Sequence, residues 1–105
     1  MFARKVSLKL RANSAVEFSR LLDTKVIPLL REQKGFRDEI SFVSGERGEA
    51  VAISLWEGRE HADAYHKQVY PEVLKSLEHL FDGTPRVSTF ALGNSTVHKI
   101  SNPPA

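Results

Sequence analysis

From Phe2 to Leu10 the chain alternates, with Val6, Leu8 and Leu10 on one face and Lys5, Ser7 and Lys9 on the other. A period of two with one apolar face predicts a strand covered on one side. The period then lengthens. Phe18, Leu21, Leu22, Val26, Leu29 and Leu30 recur at helical spacing, which predicts a helix that buries one stripe. Ser14-Ala15-Val16-Glu17 matches a capping box at its start, with Asn13 as an alternative cap. Pro28 lies inside the stripe, lacks an N–H and crowds the carbonyl of Thr24, so a kink or two abutting helices are expected. Gly35 is the expected left-handed stop.

Phe36 to Ser44 reads as a second strand with Ile40 and Phe42 on one face, and Gly45-Glu46-Arg47-Gly48 as a hairpin connection. Residues 50–56 are apolar on both faces, the pattern of a central strand. A helix follows from about Arg59, with Ala62, Tyr65 and Val69 on one face and His61 one turn before Tyr65. Pro71 suits the first turn of its continuation, whose stripe is Val73, Leu74, Leu77, Leu80 and Phe81. Asp82-Gly83-Thr84-Pro85 reads as a stop and turn. Residues 86–92 read as a fourth strand, residues 95–100 as a short fifth, and residues 101–105 as a disordered tail after a single domain spanning 1–100. The order βαββαβ is the ferredoxin-like α+β arrangement. Right-handed crossovers put both helices on one face of a four-stranded antiparallel sheet, with the first and third strands central. The other face then needs cover, and a homodimer pairing two sheets supplies it.

Composition narrows the partners. At 105 residues there is room for one core. Fifteen basic and 13 acidic residues are interspersed, giving a net charge of only +2, so no basic footprint for nucleic acid exists. Cysteine is absent, which excludes disulfides, thiolate metal sites and cysteine nucleophiles. The N-terminal stretch lacks the apolar core of a signal peptide and no window has the length of a membrane span. A cytoplasmic protein with neither a membrane nor a nucleic-acid partner is expected.

Two stretches carry a family likeness. Val26-Ile27-Pro28-Leu29-Leu30-Arg31 followed by Lys34-Gly35-Phe36 resembles the proline-containing first helix and Gly-aromatic exit of the antibiotic biosynthesis monooxygenases. Ser54-Leu55-Trp56-Glu57, then Arg59, Glu60 and Ala62, is similar to that family's strand-end Trp and second helix. The resemblance runs from Val6 to Leu92 in element order. It implies a dimeric α+β barrel with a pocket between helices and sheet in each subunit. Some members are cofactor-independent monooxygenases of phenolic or quinol substrates, others degrade haem. The haem-degrading branch has an Asn on the first strand, a Trp in the second helix and a haem-ligating His beyond it. Here Tyr65 stands at the Trp position, Lys75 near the His position, and the first strand has no Asn. Haem degradation by that route would need His66 or His79 as ligand, and no cofactor is expected.

Residues 51–70 concentrate the chemically capable side chains. Trp56 reads either as a core residue closing the strand–helix junction or as an aromatic wall for a ligand; Phe18 and Phe42 are further candidate ligand contacts. His61 and Tyr65 share a helix face. They read either as a partly exposed pair anchored by Tyr65, or as catalytic groups, with His61 or His66 the general base for a phenol and Tyr65 orienting it. His61 and His66 are five residues apart, which splits them around a helix, so no metal site is expected. Two functions compete: a monooxygenase of small aromatic, phenolic or quinol compounds, and a non-catalytic module of the same fold that binds a small apolar molecule, as in a stress response. A purely structural reading, with side chains filling the cleft, stands beside both.

Overall fold

Strand β1 (Phe2–Leu10) lies inside a four-stranded antiparallel sheet with β2 (Phe36–Ser44), β3 (Glu49–Trp56) and β4 (Phe81–Ala91), in the order β2-β3-β1-β4. A computed structural model describes residues 1–98 of the chain. The fold is the ferredoxin-like α+β arrangement that the pattern predicts. β3 lies between β2 and β1, as its apolar pattern predicts, with its inward residues Ala50, Ser54 and Trp56 buried and its outward residues Val51, Ile53 and Leu55 half-buried. Val6 pairs with Ala52 on one side and Val87 on the other, and Arg4 with Ser54 and Thr89. Because side chains alternate, Arg4, Val6, Leu8 and Leu10 share the core face with Ala52, Ser54 and Trp56.

The first crossover is α1 (Ala15–Leu21), a π-helical turn (Leu22–Val26) and α2 (Ile27–Arg31). The Ile27 N–H donates to the Leu22 carbonyl five residues back. This wider turn is the form the expected kink takes: Pro28 cannot donate and its ring would press on the preceding turn, so the ladder opens just before it. The capping box is not formed. Ser14 stands at the N-cap with near-helical backbone (φ −101°, ψ −6°) and no cap bond from its side chain. Its Oγ instead leans toward the Ala12 carbonyl, and Glu17 is held by Arg20.

The second crossover is α3 (Arg59–Gln68), then α4 (Tyr70–Leu77) and a 3₁₀ turn (Glu78–Leu80). Pro71 sits in the first turn of α4 as expected, and Val69 (φ −120°) breaks the axis between the helices. One boundary differs from the pattern. Phe81 ends no helix but pairs with Leu10, and Asp82 pairs with Lys9, so β4 starts before the supposed turn. The residues up to Arg86 are absorbed as a register shift opposite Ser7 and Lys9, with Gly83 at φ +72°. A bulge is where a strand tolerates Gly and Pro, which is why they read as breakers. Residues 95–98 form no strand. The rest of the expected fifth strand and the tail 101–105 lie outside the described residues.

Phe18, Leu21, Leu22, Val26, Leu30, Val73 and Leu77 press onto the inner sheet face. The outer face keeps an apolar half, with Ile40 at 54%, Phe42 at 60% and Phe90 at 54% exposure. No helix among the described residues is long and apolar enough to cross a membrane.

Gly35 couples the two crossovers. It turns the chain at φ +81°, its carbonyl accepts from the Glu57 N–H at 2.8 Å, and a Cβ there would lie 2.3 Å from Cγ of His61. Gly35→Ala is expected to cost about 2 kcal/mol in urea unfolding. Adding His61→Ala should recover the clash and leave the backbone cost of roughly 1 kcal/mol. An unchanged midpoint in the single variant would contradict this packing.

Candidate functional site

A strand that alternates apolar and polar residues should not place a cation on its apolar face, yet β1 does. Arg4 is 3% exposed, on the core face two residues before Val6. Its guanidinium lies 4.0 Å above the Tyr70 ring and 5.2 Å from the centre of the Tyr65 ring. One of its terminal nitrogens is 3.0 Å from Nδ1 of His66, while its Nε has no partner. Among the described residues no carboxylate pairs with it. Cation–π contact with two tyrosines offsets part of the desolvation cost. An ion taken out of water without a counter-ion still costs several kcal/mol. Burial pushes the guanidinium pKa down, opposed by the two tyrosine hydroxyls.

Arg4 marks the polar end of a cavity of ≈ 50 Å³ between sheet and helices. Val6, Phe18, Leu22, Val26, Leu30 and Val73 are among its apolar walls; Glu39, Ser54, Tyr65 and Tyr70 join Arg4 as its polar groups. That space holds a few waters at roughly 10–15 Å³ each, and is narrower than the usual ligand pocket of about 300–1,000 Å³. On the other side of Arg4 a surface cleft of ≈ 300 Å³ is lined by Ala62, Asp63, His66, Val87 and Thr89. Arg4 borders both spaces and separates them.

The cavity's polar groups are tuned by burial. Desolvation raises the Tyr65 phenol to about 12, with the Arg4 charge pulling it back down. The Tyr70 phenol is raised for the same reason, with the neighbouring Arg4 guanidinium pulling it back down. Burial also raises the Glu39 carboxyl, while a hydrogen bond from the Ser41 hydroxyl works the other way.

Of the residues singled out from the pattern, Tyr65 and Phe18 line the cavity. Trp56 does not: it is fully buried behind Tyr65, their ring centres 5.2 Å apart, and packs edge-on against Phe36. Its indole N–H is already spent on the Ser54 hydroxyl at 2.9 Å. Phe42 falls on the opposite, outer sheet face, because it shares parity with Ile40 and not with Glu39. His61 sits over Gly35 with Nε2 3.6 Å from Glu60, outside the cavity. His66 is exposed in the cleft, stacked on Tyr70 with ring centres 5.3 Å apart. The structure therefore brings Tyr65 and His66 together around Arg4 and leaves His61 apart. His79 lies on the 3₁₀ turn, and His98 pairs with Asp38 away from the site. Among the described residues no group of three or more His, Asp or Glu converges as a metal site would.

Arg4, Glu39 and Tyr70 were not singled out from the pattern. Arg4 could have been found by parity, since it continues the Val6–Leu8–Leu10 face. Tyr70 turns inward only because the axis breaks at Val69. Glu39 turns inward only because the register shifts between Phe36 and Asp38, and neither break shows in the spacing.

No family model and no curated protein sequence matches the chain. Solved structures do. SnoaB, a cofactor-independent oxygenase from Streptomyces nogalater, superposes with a TM-score of 0.74 over 92% of this chain and 97% of its own, at 13% identity. The ActVA-Orf6 monooxygenase from Streptomyces coelicolor, in complex with nanaomycin D, gives 0.75 over 93% and 92%, at 16% identity. Rv0793 from Mycobacterium tuberculosis gives 0.69 over 90% and 97%, at 20% identity. Likeness at such low identity speaks for the fold, and fold does not fix function. The chain has the fold of the antibiotic biosynthesis monooxygenases, as its sequence resemblance implied.

Proposed function

We propose that this protein is a cofactor-independent monooxygenase of a small phenol or quinol, and that Arg4 holds the ionised oxygen of that substrate. One observation carries the reading: a buried guanidinium that makes no salt bridge stands at the polar end of a cavity whose remaining walls are mostly apolar. Such a group is stabilised by an anion brought by a ligand, and the apolar walls suit an aromatic ring. A phenolate offers both. Glu39, its carboxyl raised by burial, is the proton acceptor we assign, since neither His61 nor His66 lines the cavity. Tyr65 and Tyr70 keep their protons and serve as hydrogen-bond donors or ring walls.

The chemistry asks for little beyond that. Arg4 favours the phenolate electrostatically. The phenolate gives one electron to dioxygen, and the phenoxyl radical and superoxide combine at a ring carbon. The hydroperoxide then loses water. One atom of dioxygen stays in the quinone and the other leaves as water, whose hydrogens are the phenolic proton and the ring hydrogen. All four electrons come from the substrate, so no external reductant enters.

Leu22 and Val26, on the π-helical turn, line the cavity. A π turn repacks more easily than a regular helix, so this wall is where a ring gains room. The narrowness of the cavity counts for the purely structural reading, in which side chains fill the cleft; the second functional reading is a module that binds a small phenolate without turnover. We also infer a homodimer through the apolar half of the outer sheet face, where Ile40, Phe42 and Phe90 are exposed; removing such side chains from water is the driving force.

Oxygen-electrode assays on a panel of phenols and hydroquinones are expected to show one dioxygen consumed per quinone formed. Arg4→Met should lower kcat/KM about 10²- to 10³-fold, the usual loss of an oxyanion donor, while raising stability because an uncompensated buried ion is gone. Phenolate binding by the wild type without oxygen uptake would decide for the non-catalytic module. In alkali, Tyr65 is expected to titrate near the top of the range: the stability its neutral phenol contributes is intact below its ordinary value of 10.0 and is lost as pH rises toward about 12. An ultraviolet titration should lose that late step in Tyr65→Phe. Light scattering should find a dimer that Phe42→Glu converts to a folded monomer; a wild-type monomer at micromolar concentration would refute the pairing.

A further inference from the structure

We infer that His66 is the positioning residue for Arg4: its Nδ1 holds the guanidinium at the partition between cavity and cleft, so that the cation serves a cavity ligand only while His66 is neutral. The inference rests on the oxyanion role proposed for Arg4, and it replaces the general-base role that the sequence pattern suggested for His66.

A guanidinium has five N–H donors and no acceptor. Its approach to Nδ1 at 3.0 Å therefore requires a lone pair there, which fixes His66 as the neutral tautomer with its proton on Nε2. A nitrogen already accepting from Arg4 is not free to take a substrate proton. The ring is held for this task by its stack on Tyr70, at 5.3 Å and 23°, the same ring that carries the guanidinium 4.0 Å above it.

What the contact prevents follows from the two spaces Arg4 borders. With Nε unpartnered and no carboxylate in salt-bridge range, the Nδ1 bond holds the guanidinium from the cleft side of the partition, where the imidazole stands between it and the cleft water. If that acceptor is lost, hydration in the cleft outweighs the cation–π contacts, and the side chain moves outward. The apolar cavity then loses its positive end. Protonating His66 removes the acceptor as surely as deleting it, because imidazolium has only donors. His66 is exposed to the cleft, so protons reach it from solvent.

The groups facing this pair are few. Asp63 and Lys67 share its helix, Arg4 comes from β1, and β4 contributes Val87 and Thr89, neither of which titrates. Tyr70 from α4 has its pKa raised and stays neutral through the acid range. Glu39 faces the far side of Arg4 in the cavity. Its protonation on acidification favours an anion, opposite in sign to the His66 effect, and is common to every His66 variant.

The test uses 2,4-dinitrophenol, which remains anionic from about pH 8 to about pH 5, so that the ligand's own charge does not change during acidification. Calorimetric titration compares the wild type with His66→Ala and His66→Asn. Asparagine keeps an acceptor oxygen near the Nδ1 position and does not titrate. Near pH 8, His66→Ala is expected to bind roughly five- to tenfold more weakly, the size of one net hydrogen bond, and His66→Asn within about twofold of wild type. On acidification the wild type should fall to the level of His66→Ala while His66→Asn does not follow. Identical profiles for wild type and His66→Asn, or His66→Asn as weak as His66→Ala, would overturn the role of His66 and leave the oxyanion site standing. A ligand-free ¹⁵N spectrum gives an independent check: the Nε2–H tautomer near pH 8 supports the inference, and the Nδ1–H tautomer sinks it. If the wild type shows that tautomer and still binds no dinitrophenolate at either pH, the oxyanion reading fails and this inference with it.

Discussion

A cation on the core face of a central strand is the constraint around which the rest of this structure arranges itself. Arg4 is held on that face by the register that pairs it with Ser54 and Thr89. Its surroundings are accordingly built to tolerate charge without neutralising it. Two tyrosine rings face it, a histidine nitrogen accepts from it, and the carboxyl that shares its cavity, Glu39, is itself raised by burial. None of these removes the charge. A chain of this size has little stability to spare, so an uncompensated ion in its core points to a use that folding alone does not require.

The fold positions this group by simple means. Right-handed crossovers bring both helical layers to one sheet face, so the cavity lies where the first helix's stripe fails to fill the space above Val6 and Ala52. The π-helical turn forced by Pro28 lines that gap with Leu22 and Val26. On the opposite side, the break at Val69 turns Tyr70 inward beneath the guanidinium. Two proline-related interruptions of helical regularity thus shape the cavity and its polar end.

Much of the architecture was legible because it rests on periodicity. The alternation in β1 and the central place of β3 survive into the structure with their expected roles; Gly35 is left-handed as expected but turns the chain into β2, the helix having already ended at Arg31. What periodicity could not show was where it is locally broken. The bulge in β4 hid the strand's start behind Gly83 and Pro85, and the shift beside Phe36 hid the inward turn of Glu39. Candidate chemistry suffered more. Trp56, His61 and His66 stood out by residue type, yet Trp56 spends its N–H on Ser54, His61 packs over Gly35, and His66 meets the cavity only through Arg4. Phe42 lies on the other face altogether. Arg4 itself was passed over because a charge in a strand reads as solvent-facing, even where its parity says otherwise.

If Arg4 stabilises a phenolate in the cavity, the ionisation of a bound phenol reports it directly. Titrating the absorbance of 4-nitrophenol in the presence of excess protein reads it without any assumption about turnover. The bound phenol is expected to ionise at lower pH than the free one, by about one unit or more, equivalent to roughly 1.4 kcal/mol of preference for the anion. A midpoint that stays put, or moves up as an apolar cavity alone would drive it, would contradict the oxyanion role of Arg4.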